Sequence, residues 1–411
     1  MTITVGSQTF LNPQSPGHWT VRPTTAREWE QRAYEVAEIL AVDAAERDRA
    51  NQTPYAEVAL LKDSGLTTLL GPTEHGGGGQ EWSTAFRVVR AVSTADGSIG
   101  HLLGYHYQWN FVPRFIGTPE QAARFEAEVA RNNLFLAGAI NSRDKDVVIT
   151  DKGDHLVFNG KKFFATGARV SDLTCLEGVI EGTGTHVFAM VPSQQPGLTP
   201  MNNWDNMGQR LTESGGMFIE NIHVPWEDAL GFVDGEFRST PYGTMQIPTG
   251  QLVMASFWLG IARGALNETV KYTLTNGKPW GGYEHTYDEP SVIDTIGDLT
   301  AKLWAAEALV DQVAQENVEI HRDPAALTER GRGEHKIRTA AVKSRADEVA
   351  LEITTRIFEV SRARSTATKY GFDRFWRNVR THTVHDPVAY QRRELGRYQL
   401  CNEVPEPGWY S

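Results

Sequence analysis

The sequence predicts an α+β protein built from three consecutive domains. Apolar residues recur at helical spacing from about residue 26, the spacing changes to a two-residue alternation after residue 133, and helical spacing returns near residue 246. We therefore predict an N-terminal helical domain over residues 1–132, a central small β-barrel or sandwich over 133–232, and a C-terminal helical bundle over 233–411.

The N-terminal domain should open with an arm and continue as helices. About 25 residues at the start contain prolines and show no clear period. After them, Ala33, Ala37 and Leu40 fall on one helical face. The segment TPEQAARFEAEVAR begins with Thr118 and has Gln121 three residues later, which is typical of a capped helix start.

The central domain carries the alternation of β-strands. The segment HLVFNGKKFFA places two short runs around Asn159 and Gly160, a pair favoured in tight hairpin turns. The segment THVFAMVP alternates at Val187, Ala189 and Val191. Short strands of this kind predict a small β domain.

The last domain should be built from long helices. One apolar stripe runs through residues 252–266, a second through 296–313 and a third through 337–360. Helices of this length with one apolar stripe bury it against each other, which predicts an antiparallel four-helix bundle.

The composition excludes several classes of protein. The 411 residues carry a formal net charge of −11 without a basic stripe, so a nucleic-acid partner is not expected. No apolar run is long enough to cross a bilayer, and MTITVGSQTF lacks the features of a signal peptide. Cys175 and Cys401 form neither a disulfide framework nor a zinc pattern. A cytoplasmic protein without a membrane partner is the expectation.

Two groups of polar residues are candidates for chemistry. His101 and Tyr105 are four residues apart in a predicted helix, and His382 and His385 are three apart in RTHTVHDPVAY, with Asp386 next to the second. Residues at these spacings share a helical face, so each pair is either a functional pair or a hydrogen-bonded pair in a core. The histidines provide too few ligands for a metal ion and no Glu-x-x-His partner accompanies them, so no metal is expected.

The order and lengths of the three domains resemble the acyl-CoA dehydrogenase fold, in which a flavin lies between the β domain and the bundle. Within that fold, SIGHLLGYHYQW, GARVSDL, LGIARGAL and YGFDRFWRNVRTHTVHDPVAY resemble segments of the flavin monooxygenase branch. The last segment is long and nearly continuous, and the resemblance covers almost the whole chain. The glycine-rich EHGGGG is more typical of an ordinary loop.

The resemblance also shows a missing base. Most dehydrogenases of this fold carry a glutamate where this chain has VHDP, and others carry it where this chain has PTGQLVMASFW. That carboxylate is needed because the proton to be removed is weakly acidic. Its absence disfavours dehydrogenation. A flavin peroxide needs hydrogen-bond donors around its oxygens rather than an anion, which explains a histidine at that place.

Roles for individual residues follow from the same resemblance. It implies that His101, Tyr105 and His385 are catalytic residues that position and protonate the oxygen species. The cofactor-binding residues that it implies are Asn141, Phe164, Thr166, Trp204, Ser214, Lys278, His382 and Asp386.

Two positions depart from the family pattern. Ala139 stands where the family has an asparagine, and Asn141 nearby is the candidate to replace its hydrogen bonds. Lys278 stands where the family usually has an arginine for the flavin phosphate, which keeps the charge but not the two-pronged geometry. The substrate of other family members therefore does not carry over to this chain.

The implied function is that of the oxygenase component of a two-component monooxygenase. A separate flavin reductase would supply reduced FMN (FMNH2), oxygen would add at the flavin C4a carbon, and the hydroperoxide would transfer one oxygen to a small aromatic, sulfur or nitrogen substrate. The family assembles as a dimer of dimers, so a homotetramer is expected.

Three alternatives remain open. One is an acyl-CoA dehydrogenase or oxidase that uses FAD and an unrecognised base. The second is an N-hydroxylase of the same fold, and the third is a flavin-free binding or scaffold protein.

Overall fold

The order of secondary structure agrees with the predicted α+β fold class. The computed structural model describes residues 2–5, 8–11, 19–141, 143, 145–233, 235–237 and 239–408. An antiparallel pair of strands, β1 (Thr2–Val5) and β2 (Gln8–Leu11), lies within the segment that was expected to form an arm. Among the described residues, no helix combines the length and the apolar character needed to cross a membrane.

A layer of helices follows the strand pair. It consists of α1 (Ala26–Ala41), α2 (Ala44–Ala50), α3 (Tyr55–Asp63), α4 (Trp82–Ser93), α5 (Gly97–Asn110), α6 (Val112–Ile116) and α7 (Pro119–Asn132). The predicted cap at the start of α7 is confirmed: Thr118 Oγ1 accepts from the Gln121 amide at 3.2 Å, and Gln121 Oε1 accepts from the Thr118 amide at 2.9 Å.

Helix α5 is the element of this layer that matters most for the site. Its start is fixed by Asp96, whose carboxylate accepts from the amides of Ser98 and Ile99 at 3.0 Å and 3.3 Å. Every residue of α5 is buried, because the helix packs against α4, the sheet and the first long helix of the bundle. Gly104 allows the close approach to the bundle, since a Cβ there would lie 2.5 Å from Val253 Cγ1.

The central domain is a seven-stranded mixed sheet with its own apolar core. Its strands are β3 (Leu136–Ala139), β4 (Val147–Asp151), β5 (His155–Lys162), β6 (Leu173–Ile180), β7 (His186–Pro192), β8 (Leu198–Pro200) and β9 (Met217–Pro225). Strands β3 and β4 run parallel to β6, and the other pairs are antiparallel. The short pair β10 (Phe232–Val233) and β11 (Glu236–Phe237) follows.

The hairpin turn predicted at Asn159 and Gly160 is wrong. Both residues lie inside β5, where the pairing with β9 shifts by one residue, and the turn of the β4–β5 hairpin lies instead between Asp151 and His155. The Asn159 side chain accepts from the Asn221 amide of β9 at 2.8 Å. Gly160 is needed for space rather than for a turn, because a Cβ there would lie 2.0 Å from a neighbouring backbone oxygen.

The C-terminal domain contains three long helices and two shorter ones. They are α8 (Gln246–Asn276), α9 (Pro290–Arg322), α10 (Glu329–Ser361), α11 (Asp373–Thr383) and α12 (Val388–Cys401). The long helices pack on each other, α12 packs along α10, and α11 joins α10 and α8. Helices α4 and α5 of the first domain cover α8, so the first and last domains share one core.

Candidate active site

The candidate site is a cluster of aromatic rings where α5, α8 and α11 meet. The ring of His101 stacks on Phe257 of α8, with 4.9 Å between ring centroids and 11° between ring planes. The edges of Tyr105 and His382 meet His101 at 4.3 Å and 4.6 Å. The helical spacing therefore brings His101 and Tyr105 to one face of α5, as predicted, and a third helix places His382 beside them.

His382 lies at the centre of this cluster. Its Nε2 lies 3.2 Å from the hydroxyl oxygen of Tyr105, within hydrogen-bonding distance. Its ring also contacts Phe257 at 4.7 Å and Trp258 at 5.7 Å between centroids. The ring of His385 stacks on that of His382, with 5.2 Å between ring centroids and 8° between ring planes. The two histidine rings of the RTHTVHDP motif therefore lie side by side.

The basis of that stacking differs from the prediction of one shared helical face. Helix α11 ends at Thr383, and His385 lies in the turn after it, with its amide donating to the carbonyl of His382 at 3.0 Å. Pro387 explains the early end, because a residue before proline disfavours the helical conformation. His385 is exposed whereas His382 is buried, so the turn places His385 at the outer edge of the cluster.

Burial keeps the inner imidazoles neutral. Desolvation lowers the pKa of His101 from 6.5 to about 3, despite the hydrogen bond to Gln209 Oε1 that opposes this shift. Desolvation also lowers the pKa of His382 well below its usual range, and neighbouring histidines add to the effect. The pKa of the Tyr105 hydroxyl is raised, mainly by desolvation. These three groups are therefore uncharged at neutral pH.

Two imidazole nitrogens of the cluster have no hydrogen-bond partner among the described residues. They are Nε2 of His101 and Nδ1 of His382, and both atoms are inaccessible to solvent. The indole nitrogens of Trp109 and Trp258 are in the same condition. Buried polar atoms in folded proteins are nearly always paired, so a group of unpaired ones suggests that a bound molecule supplies the partners.

The carboxylate next to His385 belongs to Asp386 and is already bonded to other side chains of the protein. Asp386 forms an ion pair with Lys343 of α10, whose side chain is 1% exposed. It also accepts from Gln251 Nε2 of α8 at 2.9 Å. Desolvation raises the pKa of Asp386, but the charge and the hydrogen bond of Lys343, together with the nearby His385 and Lys336, hold the pKa below its usual value. Asp386 is thus an ionised anchor for the turn that carries His385.

A second group of predicted residues gathers on the β domain. The Thr166 hydroxyl lies 2.8 Å from the Ser214 hydroxyl, and both are buried. Phe164 meets Trp204 edge to face, with ring centroids 6.4 Å apart. Phe164 is 63% exposed and has a left-handed backbone with φ of 61°, which is uncommon for a bulky residue. An exposed aromatic ring in an unusual conformation, beside two hydroxyl groups, is suited to stacking against a flat ligand.

Gln209 connects the β-domain group to the histidine cluster. Its carbonyl accepts from Trp204 Nε1 at 2.8 Å and from the Thr212 hydroxyl at 2.9 Å, and Thr212 reaches the Ser214 hydroxyl at 2.7 Å. Its side-chain oxygen lies 3.2 Å from His101 Nδ1. The segment between β8 and β9 is therefore bonded to α5 at the site.

Asn141 is held from within the sheet. Its amide donates to Glu177 at 3.3 Å, and its carbonyl accepts from Lys162 at 3.1 Å. Glu177 and Lys162 form an ion pair at 2.7 Å with both side chains fully buried, and His186 approaches Glu177 at 2.5 Å. These contacts use the Asn141 backbone and fix where the loop after β3 begins. Whether the Asn141 side chain replaces the missing asparagine at Ala139 stays a prediction.

Lys278 is separate from the rest of the predicted site. It follows the end of α8, is exposed, and its carbonyl accepts from Arg362 at 3.3 Å. Phe257, which contacts the histidine cluster, lies 19 residues before the last residue of α8, Asn276, or about 28 Å along a straight helix. Lys278 is therefore far from the histidine cluster along α8, and its role at a flavin phosphate stays a prediction.

Several residues that build the site could not be predicted from local sequence patterns. Gln209, Asn378, Lys343, Phe257 and Trp109 come from different elements and have no local motif. The one sequence feature that could have pointed to Gln209 is its position as a polar residue directly after a glycine, Gly208. Among the described residues, no group of three or more potential ligand side chains could hold a metal ion. A cleft of about 430 Å³ lies on the N-terminal helical layer, and one of about 260 Å³ lies between α7 and the segment after β9; neither includes the cluster.

A helical layer, a sheet and a helical bundle follow one another along the chain, and two family models match this order. The model of the acyl-CoA dehydrogenase N-terminal domain matches residues 25–133, and that of the C-terminal domain matches residues 252–389. The chain belongs to the acyl-CoA dehydrogenase family.

Several relatives that are 35–38% identical over nearly the whole chain are monooxygenases. Dibenzothiophene monooxygenase of Rhodococcus erythropolis is 37% identical over 97% of this chain and 99% of its own length. The probable FMNH2-dependent monooxygenase SfnC of Pseudomonas putida is 35% identical over 92% of this chain and 96% of its own.

A solved structure agrees with these relatives. The complex of TdsC from Paenibacillus sp. A11-2 with FMN and indole is 33% identical and has a TM-score of 0.89, covering 94% of this chain and 100% of that one. The predicted resemblance to dibenzothiophene monooxygenase and the predicted class of flavin-dependent monooxygenase are confirmed. The comparisons also agree with FMN as the predicted flavin.

Proposed function

We propose that the chain is the oxygenase component of a two-component monooxygenase, which receives FMNH2 from a separate flavin reductase. It transfers one oxygen atom of O2 to a small aromatic, sulfur or nitrogen substrate. The observation that carries the proposal is the pair of neutral imidazoles, His101 and His382, each with a buried nitrogen that has no partner. The carboxylate next to His385, that of Asp386, is already paired with Lys343.

The residues of the site suit a reduced flavin. Phe164 offers an exposed ring for stacking, and the hydroxyl groups of Thr166 and Ser214 can bond to polar atoms at a ring edge. The unpaired nitrogens of His101 and His382 provide further partners. When bound, FMNH2 supplies two electrons and two protons, so that one oxygen atom joins the substrate and the other leaves as water. The name of the Pseudomonas putida relative supports FMN over FAD.

The state of Asp386 weighs against a dehydrogenase. Removal of a weakly acidic proton needs a carboxylate that is free to accept it. Asp386 is ionised, but its Oδ2 is bonded to Lys343 and Gln251, and its pKa is held low. His101 and His382 have pKa values lowered by burial, which makes them weak bases. The site can donate and accept hydrogen bonds, but it lacks a strong base.

The surroundings of the cluster favour a flat apolar substrate. Trp109 contacts Tyr105 at 5.7 Å, and Trp258 contacts His382 at the same distance between ring centroids. Phe257, Trp109 and Trp258 are buried and exclude water from the imidazoles. Such walls strengthen hydrogen bonds inside the site and prevent loss of the reactive oxygen to water. The names of the relatives, with dibenzothiophene and indole, support an aromatic substrate.

A turnover assay with labelled oxygen tests this proposal. The purified protein would be mixed with a flavin reductase, NADH, FMN and 18O2, with dibenzothiophene, indole and a dialkyl sulfide as test substrates. The proposal expects a product that contains one 18O atom per oxygenation event and that depends on both the protein and FMN. Reduction of a dye by an acyl-CoA thioester with bound FAD, without labelled product, would establish the dehydrogenase alternative. A protein that binds neither FMNH2 nor FMN would establish the scaffold alternative.

A further inference from the structure

Gln209 is held in an unusual conformation at the junction of three elements. Its backbone is left-handed, with φ of 54°, and the residue is 1% exposed. Gly208 packs so tightly that a Cβ there would lie 2.1 Å from the Arg377 carbonyl of α11. A non-glycine residue adopts such a conformation only when its surroundings impose it. Backbone strain of this kind is often found at functional sites.

Asn378 of α11 fixes both ends of Gln209. The Gln209 amide donates to Asn378 Oδ1 at 2.7 Å, and Gln209 Nε2 donates to the Asn378 carbonyl at 3.1 Å. A backbone carbonyl can only accept, so the nitrogen of the Gln209 side chain must face it. The side-chain oxygen is thereby left facing His101.

The orientation of Gln209 determines which nitrogen of His101 carries the proton. Gln209 Oε1 lies 3.2 Å from His101 Nδ1 and can only accept. A neutral imidazole has one proton, so Nδ1 holds it and Nε2 keeps a lone pair. Nε2 is buried and has no hydrogen-bond partner in the part of the chain that the structure describes. His101 is therefore an acceptor at Nε2, which differs from the expectation that it donates to the oxygen species.

We propose that Gln209 is a positioning residue that selects the Nδ1-protonated tautomer of His101, so that Nε2 accepts a hydrogen bond from an O–H or N–H group of a molecule in the site. The relevance to oxygenation rests on the proposed function. The tautomer itself is a property of the flavin-free protein. Gln209 acts through His101.

Two variants separate this role from simple support of the fold. Gln209→Met and Gln209→Glu both remove the donor to the Asn378 carbonyl, so they lose the same structural contact. Only Gln209→Glu keeps an acceptor for His101 Nδ1. Its carboxylate also favours the imidazolium, which raises the pKa of His101 and places a proton on Nε2 at low pH.

The two variants should differ in the product formed per FMNH2 consumed. In Gln209→Met the tautomer is no longer selected, so we expect this ratio to fall at least about fivefold at every pH. A factor of about five is what one neutral hydrogen bond contributes to the equilibrium between the two tautomers. In Gln209→Glu the ratio should remain near that of the parent at high pH and fall as the pH falls through the raised pKa. The parent should show no such dependence above pH 6. An equal loss in both variants, or none in Gln209→Met, would overturn the proposal.

A spectroscopic measurement on the flavin-free protein tests the tautomer directly. Solid-state NMR of protein labelled with 15N at histidine reports which ring nitrogen carries the proton, and the His101 signals are identified by their absence in His101→Phe. We expect a protonated Nδ1 in the parent protein and a mixed population in Gln209→Met. A protonated Nε2 in the parent would overturn the assignment even if the enzyme is active. If the tautomer is as stated but no substrate is oxygenated, the proposed function is what fails.

Discussion

Replacing His101 by phenylalanine should abolish oxygen transfer while the protein stays folded. The phenyl ring can keep the stacking on Phe257, and its size is close to that of imidazole, so no large cavity forms. The change removes one hydrogen bond and leaves Gln209 Oε1 unpaired, which costs about 1–3 kcal/mol. It also removes a buried nitrogen that has no partner, which offsets part of that cost.

A matched control lies on the same helix. His106 is also fully buried, but both of its nitrogens are satisfied: Nε2 lies 2.7 Å from the Thr67 carbonyl, and Nδ1 accepts from the Leu136 amide at 3.1 Å. His106→Phe leaves two backbone groups unpaired, which costs roughly 2–6 kcal/mol. His106 should therefore matter for stability and His101 for chemistry.

The assay measures product per FMNH2 consumed together with the midpoint of thermal unfolding. His101→Phe should lower the rate of product formation by about two to three powers of ten. Consumption of FMNH2 should continue with release of hydrogen peroxide, and the unfolding midpoint should change little. His106→Phe should lower the midpoint more and leave product per FMNH2 unchanged in the folded fraction. Unchanged coupling in His101→Phe, or equal loss of coupling in both variants, would refute the assignment of His101.

Further outcomes are expected elsewhere in the molecule. His385→Phe should retain the fold and lose coupling by a similar factor, because it removes a hydrogen-bonding ring at the edge of the cluster; a drop in unfolding temperature with normal coupling would contradict this. Asp386→Ala should destabilise the protein by about 3–5 kcal/mol by leaving the buried charge of Lys343 unpaired, and denaturant unfolding that matches the parent would exclude this. Burial lowers the pKa of His101 from 6.5 to about 3, so the unfolded chain binds more protons below pH 6.5. The free energy of unfolding should therefore decrease as the pH falls from 7 towards 5, and a pH-independent value would argue against neutral buried histidines. Lys278→Ala should weaken FMN more than riboflavin in a homotetramer, and light scattering that shows monomers at micromolar concentration would exclude the interface this requires.

Local patterns were enough to predict much of the fold. The capping residues Thr118 and Gln121 act only within their own helix turn, and the apolar stripes of the long helices repeat at fixed spacing. The pair Asn159 and Gly160 misled because the same dipeptide that favours a turn is also tolerated at a strand irregularity. Contacts with β9, distant in sequence, decided between the two.

The site was predictable where function depends on spacing within one helix. His101 and Tyr105 are such a pair. Spacing also singled out His382 and His385, but only His382 lies on α11, and the roles of both were implied by the resemblance to a family. The contribution of Gln209 depends on Asn378, which is 169 residues away, and on a left-handed backbone that sequence does not encode for glutamine. The ion pair between Asp386 and Lys343 likewise forms only because the fold brings α10 next to the turn that carries Asp386.

The measurement that tests the account most directly is rapid mixing of the protein and FMNH2 with dissolved oxygen, followed by absorbance. If the buried imidazoles control oxygen activation, a transient species should appear whose spectrum differs from those of both reduced and oxidised FMN. It should persist longer in the parent protein than in His101→Phe and persist unchanged in His106→Phe. Oxidation of FMNH2 in a single step, at the rate seen without protein, would contradict the central claim.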